Sequence, residues 1–121
     1  MKPIGPELPY PLSPGIIAGD TVYLSGQVPI SADGSIPDGI EAQTALVMDQ
    51  IEALLTEAGS GMDRIVKCTV FLTDKADFAG FNEAYAARFP GVKPARSTVI
   101  CDLVIPIRVE IEAIALRKPE A

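Results

Sequence analysis

The sequence contains no histidine and no tryptophan among its 121 residues, and it contains only two cysteines. Without histidine, the commonest general base and the imidazole ligands of metals are both missing. Cys68 and Cys101 match no CxxC or zinc spacing, and each lies in an apolar run, so we predict two small buried side chains. We therefore expect no cofactor and no metal, although a metal site built from carboxylates alone stays open.

Long basic runs and long apolar runs are also missing. The formal net charge is −6, and no block of Lys or Arg exceeds two residues. An acidic surface repels phosphate backbones, so we expect no nucleic-acid partner. No apolar run approaches the ~20 residues that span a bilayer, and the N-terminal stretch does not have the pattern of a signal peptide. We expect a cytoplasmic protein with no membrane partner.

The length and the 48% hydrophobic content predict a single domain over residues 1–121. Five prolines in residues 1–14 predict an extended N-terminal arm rather than a helix. Apolar residues at spacings of three and four predict one helix from Ile40 to Ala58 and a second from Phe78 to Phe89. Runs of β-forming residues predict a hairpin around Ala18–Asp20 and strands at 65–74, 95–103 and 107–116.

The predicted order is therefore β-β-α-β-α-β-β, which favours an α+β sandwich with both helices on one face of a mixed sheet. Both sides of the predicted strand over 65–74 carry apolar residues, whereas a solvated face would alternate more cleanly. Because the helices cover one face only, we expect a partner subunit on the other. A layer of coiled segments from the same chain is the alternative.

Charged side chains in the last two strands are the candidates for chemistry. Strand alternation places Glu110 and Glu112 on one face. We interpret Glu112 as a solvated residue that pairs with Arg108, and for Glu110 a structural and a functional interpretation both stay open. Arg96 is a permanent cation that can bind a carboxylate with two hydrogen bonds. One arginine, one carboxylate and backbone amides suit a small anionic substrate and the activation of water.

Five stretches of the sequence resemble one known family, the RidA family, also called YjgF or L-PSP. The resemblance extends from about Gly15 to Arg117. The stretches are AGDTVYLSGQVP (18–29), IEAQTALVMDQIEALLTEAG (40–59), DFAGFNEAYAARFP (77–90), PARSTV (94–99) and VEIEAIA (109–115).

The resemblance implies a chorismate-mutase-like fold that assembles as a homotrimer, with sites in clefts between subunits. It also implies hydrolysis of reactive enamines and imines, such as 2-aminoacrylate and 2-iminobutanoate, to 2-keto acids and ammonia. It implies no cofactor.

The resemblance also assigns roles to individual residues. Arg96 matches the arginine that grips the substrate carboxylate, and Glu110 matches the glutamate that positions or activates water. Ser25 and Gly26 match residues beside the ligand, and Asn82 matches an asparagine of the second helix.

Two further positions at the expected substrate site depart from the family pattern. Leu12 stands where members often have tyrosine, and Thr98 stands where many have cysteine. These differences leave the substrate range open.

Two other functions compete with the deaminase. A non-catalytic protein that binds small carboxylates, as a regulator or chaperone-like partner, would need Arg96 but no acid that directs water. An endoribonuclease is a lesser alternative, because the chain is acidic, has no histidine and offers no evident aromatic platform for bases.

Overall fold

The computed structural model describes residues 1–120 as six strands and two α-helices. The predicted order is confirmed, with one additional strand at the N-terminus. In chain order the elements are β1 (Lys2–Ile4), β2 (Gly15–Ala18), β3 (Thr21–Gln27), α1 (Ile40–Glu57), β4 (Ile65–Leu72), α2 (Phe78–Ala86), β5 (Ala95–Ile100) and β6 (Val109–Leu116).

The six strands form one sheet in the order β1-β2-β3-β6-β4-β5. Strands β4 and β5 run parallel, and every other neighbouring pair is antiparallel, so the sheet is mixed as predicted. Strand β6 comes last in the chain but lies between β3 and β4. Glu110, the candidate for directing water, therefore lies in a strand near the middle of the sheet.

Both helices cover the same face of the sheet and form the core with it. The apolar stripe of α1 is fully buried at Val47, Ile51 and Leu55. The alternate residues of the strands meet this stripe, among them Val70 and Ile111, which are also fully buried. The predicted two-helix face is thus confirmed.

The predicted turn residues account for the ends of several elements. Gly19 has φ +63° at the first position of the two-residue β2–β3 turn, as a type II′ turn requires. Gly59 has φ +76° just beyond α1, so a left-handed residue ends the helix. The Asp74 side chain accepts a hydrogen bond from the Ala76 amide (2.9 Å) and caps the short 3₁₀ turn that leads into α2.

Several details differ from the sequence-based expectations. Helix α2 ends at Ala86, three residues before the predicted end at Phe89. Residues 2–4 of the arm pair with β2 as an edge strand, which tolerates Pro3 because an edge position can leave one backbone nitrogen without a ladder bond. Cys68 is buried as predicted, but Cys101 is only partly buried. Strand β5 ends at Ile100, so Cys101 begins the loop to β6.

The face of the sheet opposite the helices is called the open face here. It carries apolar side chains that are partly exposed, including Tyr23 (49%), Val99 (43%) and Leu116 (39%). No coiled segment from residues 1–120 buries these side chains, so the alternative of a covering layer from the same chain is not supported. No helix in this part of the chain is long and apolar enough to cross a membrane.

Candidate functional site

Arg96 lies on the helix-covered side of β5, where its guanidinium rests on aromatic rings of α2. Its Cζ is 5.0 Å from the ring centre of Tyr85, 5.3 Å from that of Phe81 and 5.8 Å from that of Phe78. The register explains this position, because Arg96 lies beside Cys68, which faces the core. Rings within ~6 Å of a guanidinium attract it through their quadrupoles, so α2 supports this cation.

The charge of Arg96 is not neutralised by residues 1–120. None of their carboxylates lies within 4.0 Å of the guanidinium, whereas Arg88 and Arg108 pair with Asp49 and Asp77 at 2.7 and 3.0 Å. The expected pairing of Arg108 with Glu112 is therefore wrong, since the Asp77 carboxylate is nearer. An arginine that is partly buried and has no anion beside it is suited to bind one.

A depression of about 310 Å³ lies over the guanidinium. Arg96 and the predicted ligand residue Asn82 both line it, together with Lys93. The Lys93 ammonium donates to the carbonyl of Phe89, three residues beyond α2 (3.0 Å), which holds a second positive charge at the rim. This region, defined by Arg96, Asn82 and Lys93, is called the cationic half-site.

Two buried hydroxyls lie near the cationic half-site without a hydrogen-bond partner among residues 1–120. They are the Oγ1 atom of Thr98 and the phenol oxygen of Tyr85. Thr98 follows Arg96 by two positions in β5 and therefore faces the same side of the sheet. Burial raises the pKa of Tyr85, and the neighbouring Cys68 thiol raises it further, so the phenol stays neutral.

Glu110 lies on the open face of the sheet, directly opposite Phe71 of β4. Its side chain is partly buried, and burial raises the pKa of the carboxyl group. The negative charge of Glu112 raises this pKa further. No cation or hydrogen bond from residues 1–120 offsets these effects, so Glu110 holds its proton more tightly than an ordinary glutamate.

Gly26 provides the space that the Glu110 carboxylate occupies. A β-carbon added to Gly26 would collide with Oε2 of Glu110 and would lie 2.8 Å from its Cδ. The β3–β6 register shifts between Leu24 and Gln27, which places an extra residue of β3 beside β6. Such bulges redirect side chains at sites, and this one brings a glycine against the acid.

Ser25 and Leu12 lie beside Gly26 in a recess of about 390 Å³ between the N-terminal arm, the end of β3 and α1. The Ser25 hydroxyl donates to the Ser13 carbonyl (2.6 Å), and the Ser25 amide donates to the Pro14 carbonyl (2.9 Å). These bonds fix the arm against β3. The region of Glu110, Gly26, Ser25 and Leu12 is called the acidic half-site.

The two half-sites are far apart within one chain. Arg96 faces the helix-covered side of β5, and Glu110 faces the open side of β6. Strand β4 separates these two strands, which adds about 10 Å at the usual strand spacing. One chain therefore brings Arg96, Asn82 and Thr98 to one place and Glu110, Gly26, Ser25 and Leu12 to another.

Lys93 and the aromatic support of Arg96 were missed by the sequence interpretation. The aromatic residues of the second helix recur at spacings of three and four, at 78, 81, 85 and 89, which is a helical stripe that could have been found. Lys93 gave no sequence signal, because its place depends on how the loop after α2 folds back. Among residues 1–120, no group of three or more Cys, Asp or Glu side chains is arranged to hold a metal ion.

Comparison with protein families gives a match over nearly the whole chain. The model of the family described as endoribonuclease L-PSP matches residues 4–117. The chain belongs to this family. The resemblance to the RidA/YjgF (L-PSP) family is therefore confirmed.

Individual relatives of the L-PSP family agree in sequence and in fold. A RutC family protein of Pyrococcus abyssi is 41% identical over 120 residues, which cover 97% of this chain and 91% of that protein. The crystal structure of E. coli TdcF with bound serine is 35% identical, with a TM-score of 0.92 over 98% of this chain and 100% of that one. The structure of RidA from the Antarctic bacterium Psychrobacter sp. PAMC 21119 is 34% identical, with a TM-score of 0.86 over 92% of each chain.

Proposed function

We propose that this L-PSP family protein hydrolyses reactive enamines and imines, of the 2-aminoacrylate and 2-iminobutanoate type, to 2-keto acids and ammonia. The observation that carries the proposal is a pair of partly buried charged groups without partners in residues 1–120. Arg96 has no carboxylate within 4.0 Å, and Glu110 has no cation or hydrogen bond. A 2-imino acid offers a carboxylate for the first and an electrophilic carbon beside the second.

The proposed reaction needs only these groups and water. Arg96 binds the substrate carboxylate, and Glu110 accepts a proton from the water whose oxygen attacks the imine carbon. The electron pair of the C=N bond moves to the nitrogen, which takes this proton from Glu110, and a neutral carbinolamine results. Glu110 then accepts the hydroxyl proton of the carbinolamine and passes it to the nitrogen as the C–N bond breaks, so that ammonia leaves and the C=O bond of the keto acid forms. Enamine substrates first tautomerise to the imine.

Because one chain keeps Arg96 and Glu110 on opposite faces, we also propose a homotrimer in which neighbouring subunits complete each cleft. The partly exposed apolar side chains of the open face, such as Tyr23 and Val99, support burial against another copy. Each cleft then combines the cationic half-site of one subunit with the acidic half-site of the next. A monomer would leave each half-site incomplete.

A non-catalytic binder of small carboxylates remains the second candidate. The observation in its favour is that the E. coli TdcF structure carries bound serine, a small amino acid with a carboxylate. An endoribonuclease is the lesser candidate, named by the family description. The net charge of −6 opposes RNA binding, and the rings of α2 lie under Arg96. We propose no nucleic-acid partner, no membrane partner and a cytoplasmic location.

A coupled assay with a Glu110→Gln variant tests the deaminase against the binder. An amino-acid oxidase or dehydratase generates imines in situ, and release of the 2-keto acid is followed with and without the protein. Wild type should accelerate release, and Glu110→Gln should be slower by about 10²–10⁴-fold, as expected for lost general acid–base help. Glu112→Gln, in the same strand and on the same face, is the matched control and should retain turnover at neutral pH.

Wild type and Glu110→Gln should bind a stable 2-keto acid equally well, because Arg96 is intact in both. Equal turnover by wild type and Glu110→Gln would show that Glu110 is structural. If wild type binds keto acids but does not accelerate imine hydrolysis, the carboxylate-binding function replaces the deaminase as the proposal.

A further inference from the structure

Lys93 adds a second cation to the cationic half-site, and the binding of one carboxylate does not require it. Arg96 alone can hold a carboxylate with two parallel hydrogen bonds. The Lys93 ammonium has no carboxylate within 4.0 Å among residues 1–120, and its contact there is the Phe89 carbonyl at 3.0 Å. An ammonium has three N–H donors, so two of them are left for a ligand.

The charged residues that line the depression of the cationic half-site are both positive. They are Lys93 and Arg96. A larger depression of about 670 Å³ beyond the end of α1 has cations too, but the carboxylates of Glu52 and Asp63 line it as well. The net charge of the chain is −6, yet charges further away than about 10 Å are largely screened at about 0.1 M salt. The nearest charges therefore make this depression attractive to a dianion.

The rest of the lining suits the short hydrocarbon link between two acid groups. Ala86, Phe89 and Pro94 contribute apolar surface to the same depression. The side-chain amide of Asn82 also lines it and can donate to either acid group. The volume of about 310 Å³ is at the lower end for ligand pockets, so the depression fits a diacid of four or five carbons better than a long one.

We infer that Lys93 forms a subsite for a second carboxylate, and that dicarboxylic 2-imino acids are better substrates than neutral ones of the same length. This inference rests on the proposed deaminase function and specifies its substrate class. Arg96 holds the carboxylate next to the imine carbon, and Lys93 holds the carboxylate at the end of the side chain. Imines derived from aspartate and glutamate have both groups, whereas imines derived from aliphatic amino acids have only the first.

The test compares kcat/KM for imines generated from glutamate and from norleucine by amino-acid oxidases. The two side chains are similar in length, and only the first ends in a carboxylate. The glutamate-derived imine should be preferred by about fivefold, the upper end for one exposed ion pair. This preference should shrink at about 1 M salt, where charges are screened within about 3 Å. A ratio near or below one at low salt would overturn the subsite.

Lys93→Gln removes the charge at an exposed position and keeps an amide that can donate a hydrogen bond. It should lower the ratio of kcat/KM for the glutamate-derived over the norleucine-derived imine by about fivefold, and Lys93→Arg should keep most of the ratio. Lys75→Gln removes the same charge at an exposed position outside the depression, and its ratio should match wild type. An unchanged ratio in Lys93→Gln would also overturn the subsite.

Binding of stable products separates this inference from the deaminase proposal. Calorimetry on wild type should show tighter binding of 2-oxoglutarate than of 2-oxohexanoate, and Lys93→Gln should narrow the difference. If no imine is hydrolysed faster but this binding preference is present, the deaminase proposal fails and the subsite stands. If imines are hydrolysed without any preference for the diacid in rate or in binding, the subsite fails and the deaminase stands.

Discussion

The cationic and acidic half-sites differ in how their surroundings affect the charge of the central residue. Arg96 carries the positive charge of a guanidinium, and the rings of Phe81 and Tyr85 support this charge without neutralising it. Glu110 lies beside Phe71 and near Glu112, and both its burial and the Glu112 charge hold its pKa above the ordinary range. One half-site thus offers a fixed charge for binding, and the other offers a proton acceptor whose charge depends on its surroundings.

Among the changes that leave Glu110 itself in place, removing the fixed charge should produce the largest effect. Arg96→Ala removes charge-assisted hydrogen bonds to the substrate carboxylate, which is expected to cost about 2–4 kcal/mol in kcat/KM, or about 30- to 1,000-fold. Arg96→Lys should retain only part of the wild-type kcat/KM, because an ammonium lacks the planar guanidinium that makes two parallel hydrogen bonds to a carboxylate. Arg108→Ala, which loses only a surface pair with Asp77, is the matched control and should stay near wild type. An active Arg96→Ala enzyme would remove Arg96 from the site.

Mixing two inactive variants tests whether the half-sites come from different subunits. Arg96→Ala and Glu110→Gln chains are unfolded together and reassembled in equal amounts. If neighbouring subunits complete each cleft, about a quarter of the clefts in random oligomers contain both intact residues. The mixture should then regain about a quarter of the wild-type activity. If both residues acted from one chain, no cleft would recover. Light scattering on the same samples should give three chains per particle.

Gly26→Ala should move the carboxylate of the acidic half-site and leave the cationic half-site in place. The added β-carbon collides with the flexible end of Glu110, so the carboxylate shifts at little structural cost. We expect kcat to fall by about tenfold, because small displacements of reacting groups are costly, with little change in Tm. Gly91→Ala, where a β-carbon meets nothing within 4 Å, is the control. Unchanged kcat in Gly26→Ala would show that Glu110 does not need this position.

The pH profile should give the smallest change and distinguish the two half-sites directly. Glu110 must be ionised to accept a proton, so kcat/KM should fall as pH drops through its raised pKa. Glu112→Gln removes the neighbouring charge, lowers the pKa of Glu110 and should shift this acidic limb to lower pH. Arg96→Lys should leave the limb where it is. If the acidic limb of the kcat/KM profile does not shift in Glu112→Gln, the limb reflects the titration of a group other than Glu110.

The raised pKa of Glu110 makes stability depend on pH in the opposite direction to activity. The folded state binds the Glu110 proton more tightly than the unfolded chain does. The resulting stabilisation is present at low pH and is lost as pH rises through the folded pKa. Glu110→Gln should therefore remove the part of the fall in Tm that this group causes as pH rises from its unfolded to its folded pKa. The ionised acid that the reaction needs is thus the less stable form of the site.

Much of the fold followed from local patterns in the sequence. Helix α1 was predicted to within one residue at its end, because Gly59 terminates an uninterrupted apolar stripe. The alternation of β6 correctly placed Glu110 and Glu112 on one face, and the structure shows that this face points away from the helices. Strand β1 was missed because a three-residue edge strand with a proline has no periodicity to detect.

The arrangement of the site depended on contacts that the sequence pattern does not encode. The sequence suggested Arg96 and Glu110 as partners, but their opposite faces follow from the parallel register of β4 and β5, which no local signal specifies. The approach of Gly26 to Glu110 depends on a one-residue shift in the β3–β6 ladder. The recess requires the arm to fold back onto α1, which single-strand and single-helix patterns do not reveal.

The central position of β6 has a consequence for biogenesis. The ribosome makes β6 after the other five strands, yet β3 and β4 have no common neighbour until it inserts between them. Before β6 is available, β1–β3 and β4–β5 can form at most two separate sheets with open edges, and open edges can pair with strands of other chains. Such non-local pairing also folds slowly. The nascent chain can therefore complete its sheet only after residue 116 has left the ribosome.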